Sequence, residues 1–277
     1  MPPSEDLNRE IESYLGFLID HELDDVYETS PLNRTLGERK PAFRPGGAAT
    51  EQKNVRAAPG PDGITVLRPS DAGRVDPGVL LHEARQRAAA ARTLDELYAE
   101  IDAFTAMPMR HEGGKALVRC RGAVAPRLLV IGDLPDASED AAGLAFQGKP
   151  GALIDTALAA AGIGGDAMLS PCAFWRPAGG RPLTVADIGL NQPFLAAMIR
   201  LAAPRAILLL GAAAVTSVLN LEQNLQKLRG RIIACGDGDG ALPAMASFTP
   251  AFMIGQPACK ALFWQDLLAI VAAINTL

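Results

Sequence analysis

The segment RLLVIGDLPDASEDAAGLAFQGKPGALIDTALAAAGI, Arg127 to Ile163, gathers side chains that could do chemistry. It begins as a buried strand and breaks at Gly132 and Pro135 into a turn. An acidic cluster follows (Asp133, Asp136, Glu139 and Asp140), and the segment closes as a helix. A strand-to-helix turn of this kind is where α/β proteins place a ligand. A carboxylate such as Asp133 either orients a water there or caps the turn. Alone, the turn is unspecific, because many α/β proteins need a glycine where a turn is tight. No G-x-G-x-x-G or Walker loop accompanies it, which argues against an ordinary nucleotide cradle. The three histidines, His21, His82 and His111, all precede the turn, so no later loop can supply an imidazole.

Certain elements must position that turn. The chain has 277 residues, which bounds it to one or two domains, and 49% apolar residues suffice for one sizeable core. The net charge of −5 is not the footprint of a strong, non-specific nucleic-acid binder, although a local basic groove stays compatible with it. The four cysteines, Cys120, Cys172, Cys235 and Cys259, form no C-x-x-C pair. No apolar run reaches the ~18 residues of a membrane span, and no secretory leader is visible. The expectation is a cytoplasmic protein with reduced thiols and no membrane association.

Residues 5–27 carry apolar residues near helical spacing and predict an amphipathic helix that docks on its own domain or on a protein partner. Residues 28–75 are rich in Pro, Gly and charge and predict a disordered linker, with a brief extended piece at ITVLRPS. Residues 76–277 form the folded domain in this reading. PGVLLHEARQRAAAA reads as a helix, and Thr93 with Glu96 reads as a capping box opening a second one. Apolar strands (RLLVIG, AMLSPCAF, AILLLG, RGRIIAC, PAMASF) then run among helices, closing with CKALFWQDLLAIVAAINTL. That order predicts a three-layer α/β/α fold with a central, mainly parallel sheet. Gly132, Trp175, Gly211 and Thr249 each follow a strand candidate and should gather on one edge.

With these residues in view, GDLPDASEDAAGLAFQG resembles the first motif of the family-four uracil-DNA glycosylases, roughly G-E-A-P-G-x-x-E-D-x-x-G-x-P-F-V-G. FWRPAGGRPLT, PRAILLLGAAA, KLRGR and ASFTPAFMIGQPACKALFWQDL resemble further motifs of that family, in its order, between about Leu94 and Leu268. The resemblance implies the uracil-DNA glycosylase-like fold and base-excision DNA repair, in which the bond between a base and deoxyribose is hydrolysed. Such chemistry needs a carboxylate for water and the cationic sugar, an aromatic face for the base, an amide for its edge and a donor for the departing anion.

The resemblance places Asp133 at the family's catalytic Glu, Phe146 at its base-stacking Phe and Thr249 at its catalytic-loop His. Phe146 equally fits a core position. The family's base-reading Asn falls on Pro171, which offers no amide, and Ser170 beside it carries a hydroxyl. Asp136 replaces a motif glycine and sets a negative charge where a phosphate or base would pass. Arg176, Arg181, Arg229, Gly230, Pro250 and Phe252 fall on loops expected to approach DNA, with Phe252 as either a wedge or a packing residue. The family's iron–sulfur cluster would need cysteines near Met107, at Trp175 and near Asn191, so no metal or cofactor is expected. Some cluster-free relatives carry Trp at that third position. Two readings follow. One is a family enzyme with degenerate motifs and weak or lost excision of a uracil-like base. The other is a non-catalytic scaffold that binds DNA weakly or a protein through residues 5–27.

Overall fold

The computed structural model describes residues 76–221, 225–236 and 240–276, all within the unit Arg68–Leu277. The expectations for residues 5–27 and 28–75 lie outside the described residues.

The described residues form a sheet of six strands in the order β1-β3-β2-β4-β6-β5. Here β1 is Arg121–Gly122, β2 Leu128–Ile131, β3 Ala167–Ser170, β4 Ala206–Leu210, β5 Ile232–Cys235 and β6 Leu242–Ser247. β3, β2, β4 and β6 pair in parallel. Every residue of β2, β3 and β4 is buried, as expected for strands covered on both faces. The sheet is mainly parallel, as expected, and its two edges are the exceptions: β1 on β3 and β5 on β6 are antiparallel. For β5 and β6 the reason is length: a parallel partner needs a crossover of a dozen or more residues, and the chain between Cys235 and Leu242 is far shorter.

The helices are α1 (Pro77–Ala90), α2 (Leu94–Ala103), α3 (Ala137–Ala142), α4 (Gly148–Ala160), α5 (Val185–Ala202), α6 (Ala212–Leu219), α7 (Leu225–Leu228), α8 (Pro250–Gly255) and α9 (Cys259–Thr276). Thr93 caps α2 by accepting from the Glu96 N–H at 3.2 Å. Glu96 returns its carboxylate to the Arg92 N–H at 2.8 Å, not to Thr93, so the expected box is offset by one residue. Thr184 and Asp187 close a full capping box at α5. One apolar core joins α1, α2 and α5 to the sheet face carrying Leu129, Ile131, Ile207 and Leu209. The alternate strand residues Leu128, Val130, Leu208 and Leu210 are buried too, and α9 lies against β4 and β6. The short helices α3 and α8, too brief to show periodicity in sequence, carry the chain past the ends of β2 and β6.

Candidate active site

Beyond the C-terminal ends of these strands lies a cleft of about 380 Å3. The β2 turn supplies Gly132 through Ala137, the α3–α4 connection supplies Phe146 and Gln147, the loop after β3 supplies Arg176 and Gly180, and the end of β6 supplies Thr249 and Pro250. Of the residues expected at the site, the cleft therefore brings together Asp133, Phe146, Arg176, Thr249 and Pro250.

Asp133 accepts from the Leu134 N–H at 3.0 Å. Burial pushes its carboxyl above the ordinary range, and that one N–H only partly opposes the shift. Gly211 explains how Asp133 and Thr249 come together. It sits at φ +106°, and a Cβ there would fall 2.5 Å from Thr249 Cγ2 and 2.9 Å from Asp133 Oδ2. Both side chains therefore pack on one bare α-carbon. The Thr249 hydroxyl oxygen caps α8 by accepting from the Phe252 N–H at 3.1 Å, with Pro250 at the first helical position.

Phe146 is buried and has φ 55°, which an aromatic residue rarely adopts. Its neighbours impose this conformation. Its N–H donates to the Glu139 carboxylate, and its carbonyl accepts from Arg121 at 2.9 Å. The ring lies over Gly132, where a Cβ would sit 2.7 Å from Cζ. The other Glu139 oxygen accepts from the Asp136 N–H at 2.8 Å, and burial raises the Glu139 carboxyl as well. Asp136 itself caps α3, accepting from the N–H groups of Ser138 and Glu139 at 2.8 and 2.9 Å. Its carboxylate is thus committed to a helix N-terminus while still lining the cleft.

The remaining expected residues lie elsewhere. Ser170 and Pro171 are buried, and the Ser170 hydroxyl donates to the Pro171 carbonyl at 3.0 Å; neither lines the cleft. Arg181 is paired with Glu112 and, at 2.7 Å, with Asp187. Arg229 pairs with buried Asp266 at 3.1 Å and lies over the Phe248 ring. Gly230 beside it takes φ +72°. Asp266 also accepts from the Ser247 hydroxyl at 2.6 Å, so this network holds the strand end that leads to Thr249. Phe252 is 40% exposed and stacks on Phe248 at 5.3 Å between centroids. Trp175 is buried beneath the Arg110 guanidinium rather than gathered at the cleft. Sequence reading gave Glu139 no role beyond membership of the acidic cluster and did not single out Gln147. The Asp136–Glu139 spacing is a capping-box signal that points to the first; nothing but polarity marks the second.

A family model described as "Uracil DNA glycosylase superfamily" matches residues 121–268. The chain belongs to the uracil-DNA glycosylase superfamily. A type-4 uracil-DNA glycosylase of Pyrobaculum aerophilum is 26% identical over 162 residues, covering 57% of this chain and 83% of that relative. Every cleft residue from Gly132 to Ala251 falls inside the superfamily match.

The iron–sulfur cluster implied by the type-4 resemblance does not fit the residues present. Met107 and Trp175 are buried in the apolar core, and the Asn191 amide donates to the Cys172 carbonyl at 2.8 Å. None of these side chains is a thiolate. Among the described residues, no group of three or more His, Cys, Asp or Glu could hold a metal ion, and all four cysteines are free thiols. Among the described residues, no helix is long and apolar enough to cross a membrane.

Proposed function

We propose that this superfamily member takes an extrahelical base from DNA into the cleft and hydrolyses its N-glycosidic bond slowly. The observation that carries the reading is the convergence of Asp133, Phe146 and Thr249, from three separate loops, on one cleft. Phe146 stacks on the flipped base, and its pinned backbone fixes the plane of that stack. Asp133 orients the water that adds to the sugar carbon and steadies the positive charge on the sugar as the bond lengthens. The electron pair of the bond leaves with the base. Thr249 has one hydroxyl proton to offer that developing anion, because its oxygen is committed to capping α8. Replacing a fixed, polarised donor in this way typically costs ~10²–10³ in rate, hence a slow enzyme.

One observation favours the alternative of a non-catalytic scaffold that holds DNA weakly. Arg181 and Arg229 are spent on internal ion pairs, while the cleft is lined by Asp133, Asp136 and Glu139 with Arg176 as counter-charge. A single-turnover excision assay at enzyme excess separates the readings. The substrates are single- and double-stranded oligonucleotides carrying uracil, hypoxanthine or xanthine, with the Asp133→Asn protein alongside. Excision above that control is the expected result. A folded protein that excises none of them is the scaffold.

A further inference from the structure

We propose that Gln147 is the residue that reads the edge of the base, in place of the missing amide at Pro171. The inference rests on the reading above, that the cleft receives a base. Gln147 lines the cleft next in sequence to Phe146, and it is the one carboxamide among the described residues that do so. It occupies the N-cap position of α4, yet its side chain makes no capping bond. The amide is held in another way. Its Nε2 donates to the Ala145 carbonyl at 3.2 Å, and that carbonyl also accepts from Arg121 Nε at 2.8 Å. A carbonyl can only accept, so the nitrogen of the carboxamide must face it. One N–H and the carbonyl oxygen of Gln147 remain for a ligand.

That leaves a donor and an acceptor side by side, in an orientation that cannot swap without breaking the Ala145 bond. A fixed pair of this kind matches a lactam edge, an N–H beside a carbonyl, as in uracil, hypoxanthine and xanthine. Cytosine has nearly the same shape and stacks equally well on Phe146, but its donor and acceptor are reversed. The same amide would then meet it donor to donor. Arg121 serves stack and reader together, because it holds the carbonyls of both Ala145 and Phe146 and is itself paired with Asp155 at 2.9 Å.

The test compares uracil and cytosine at one position in otherwise identical single strands, which removes differences in base pairing. Binding is read by fluorescence anisotropy and excision by single turnover. Wild type should favour uracil by roughly 5- to 150-fold, the range of one bidentate edge contact. Gln147→Met keeps the length of the side chain and removes the amide; it should bring the two strands within about twofold. Gln147→Ala should do the same, and Phe146→Ala should weaken both strands alike. A preference that persists in Gln147→Met, or a wild type with no preference, overturns the proposal. Failure of the underlying reading looks different: wild type then excises no more than Asp133→Asn, and Phe146→Ala leaves binding unchanged.

Discussion

The substitution Gly211→Ala adds one methyl group and tests how the cleft is assembled. Two costs can be worked from the geometry. Gly211 has φ +106° and ψ 168°, a region essentially reserved for glycine, and holding an alanine there costs of order 1–3 kcal/mol. The methyl would also sit 2.5 Å from Thr249 Cγ2 and 2.9 Å from Asp133 Oδ2. Ordinary carbon contacts lie at about 3.5–4.0 Å, so Thr249 must retreat by about 1 Å and Asp133 by about half as much. Overpacking of that size typically costs another 1–3 kcal/mol. At about 2–4 °C per kcal/mol for a domain of this size, the melting temperature should fall by at least several degrees. The functional loss should be larger than the stability loss suggests. A misplacement of ~1 Å in a catalytic constellation costs ~10²-fold, and both displaced side chains belong to the constellation proposed above. Circular-dichroism melting and single-turnover excision below the melting range measure the two effects separately. Gly189→Ala is the control, because a Cβ there, in the second turn of α5, meets nothing within 4 Å. That variant should gain about 0.5–1 kcal/mol from helix propensity. If Gly211→Ala melts and excises like wild type, Gly211 is not what packs Asp133 against Thr249, and the assembly argued here is wrong.

Glu139→Gln keeps the shape of the side chain but can accept only one of the two N–H bonds now shared between Asp136 and Phe146; it should cost about 1.5–3 kcal/mol in a denaturant titration and weaken base stacking, and an unchanged midpoint would show that Phe146 holds its conformation unaided. Acid stability should follow Glu112 and Asp187. Arg181 and the Ala178 N–H hold Glu112 low; burial pushes Asp187 up, but Arg181 and Thr184 outweigh it and leave its carboxyl low as well. Folded values below the unfolded ones give stability that is present above the ordinary carboxylate pKa of about 4 and lost as pH falls through the lowered values. Melting temperature against pH should show that loss in wild type, and Arg181→Ala should blunt it. Asp133 carries the opposite sign: burial raises its carboxyl, so the acid limb of excision should lie above the ~3.9 of a free aspartate, and a limb at or below that value would remove Asp133 from the rate-limiting chemistry.

What the sequence made legible follows from how local each signal is. Buried strands such as AILLLG and caps such as Thr184 are written in a few adjacent residues, and they place the turns that carry Asp133, Phe146 and Thr249. The state of a charge is not written locally. Arg181 and Arg229 read as cations on loops expected near DNA; one partner of Arg181, Asp187, is six residues on, but the other, Glu112, lies 69 residues away, and Asp266, the partner of Arg229, lies 37 away. Nor does sequence show which way a strand end faces. Counting places Ser170 and Pro171 at the base-reading position, yet the chain from Ala167 through Trp175 is buried continuously, and the cleft is lined by other residues. The edge strand Arg121–Gly122 is too short to give any period, although Arg121 braces the stacking residue. Asp136 looked like a charge set against DNA; the structure gives it a helix to cap.

The departures from the motif that the chain resembles divide: Pro171 and Thr249 stand where it has an amide and an imidazole, Asp133 keeps a carboxylate, and Asp136 adds a charge where it has glycine. Phe146 is kept. Its φ of 55° is a conformation that costs of order 1–3 kcal/mol in a bulky residue and that glycine would adopt freely. A core position needs no such strain, since an aromatic ring can be buried from ordinary backbone. Here the strain is maintained by Glu139 on the N–H and Arg121 on the carbonyl, and the ring is presented to the cleft wall rather than to the main apolar core. Strain held by charge-assisted bonds at a cleft wall agrees with the stacking role proposed for the ring face. Phe146→Gly would relieve that strain but lose the burial of a nearly enclosed ring, which typically costs about 3–5 kcal/mol, so a thermal melt should place the variant below wild type.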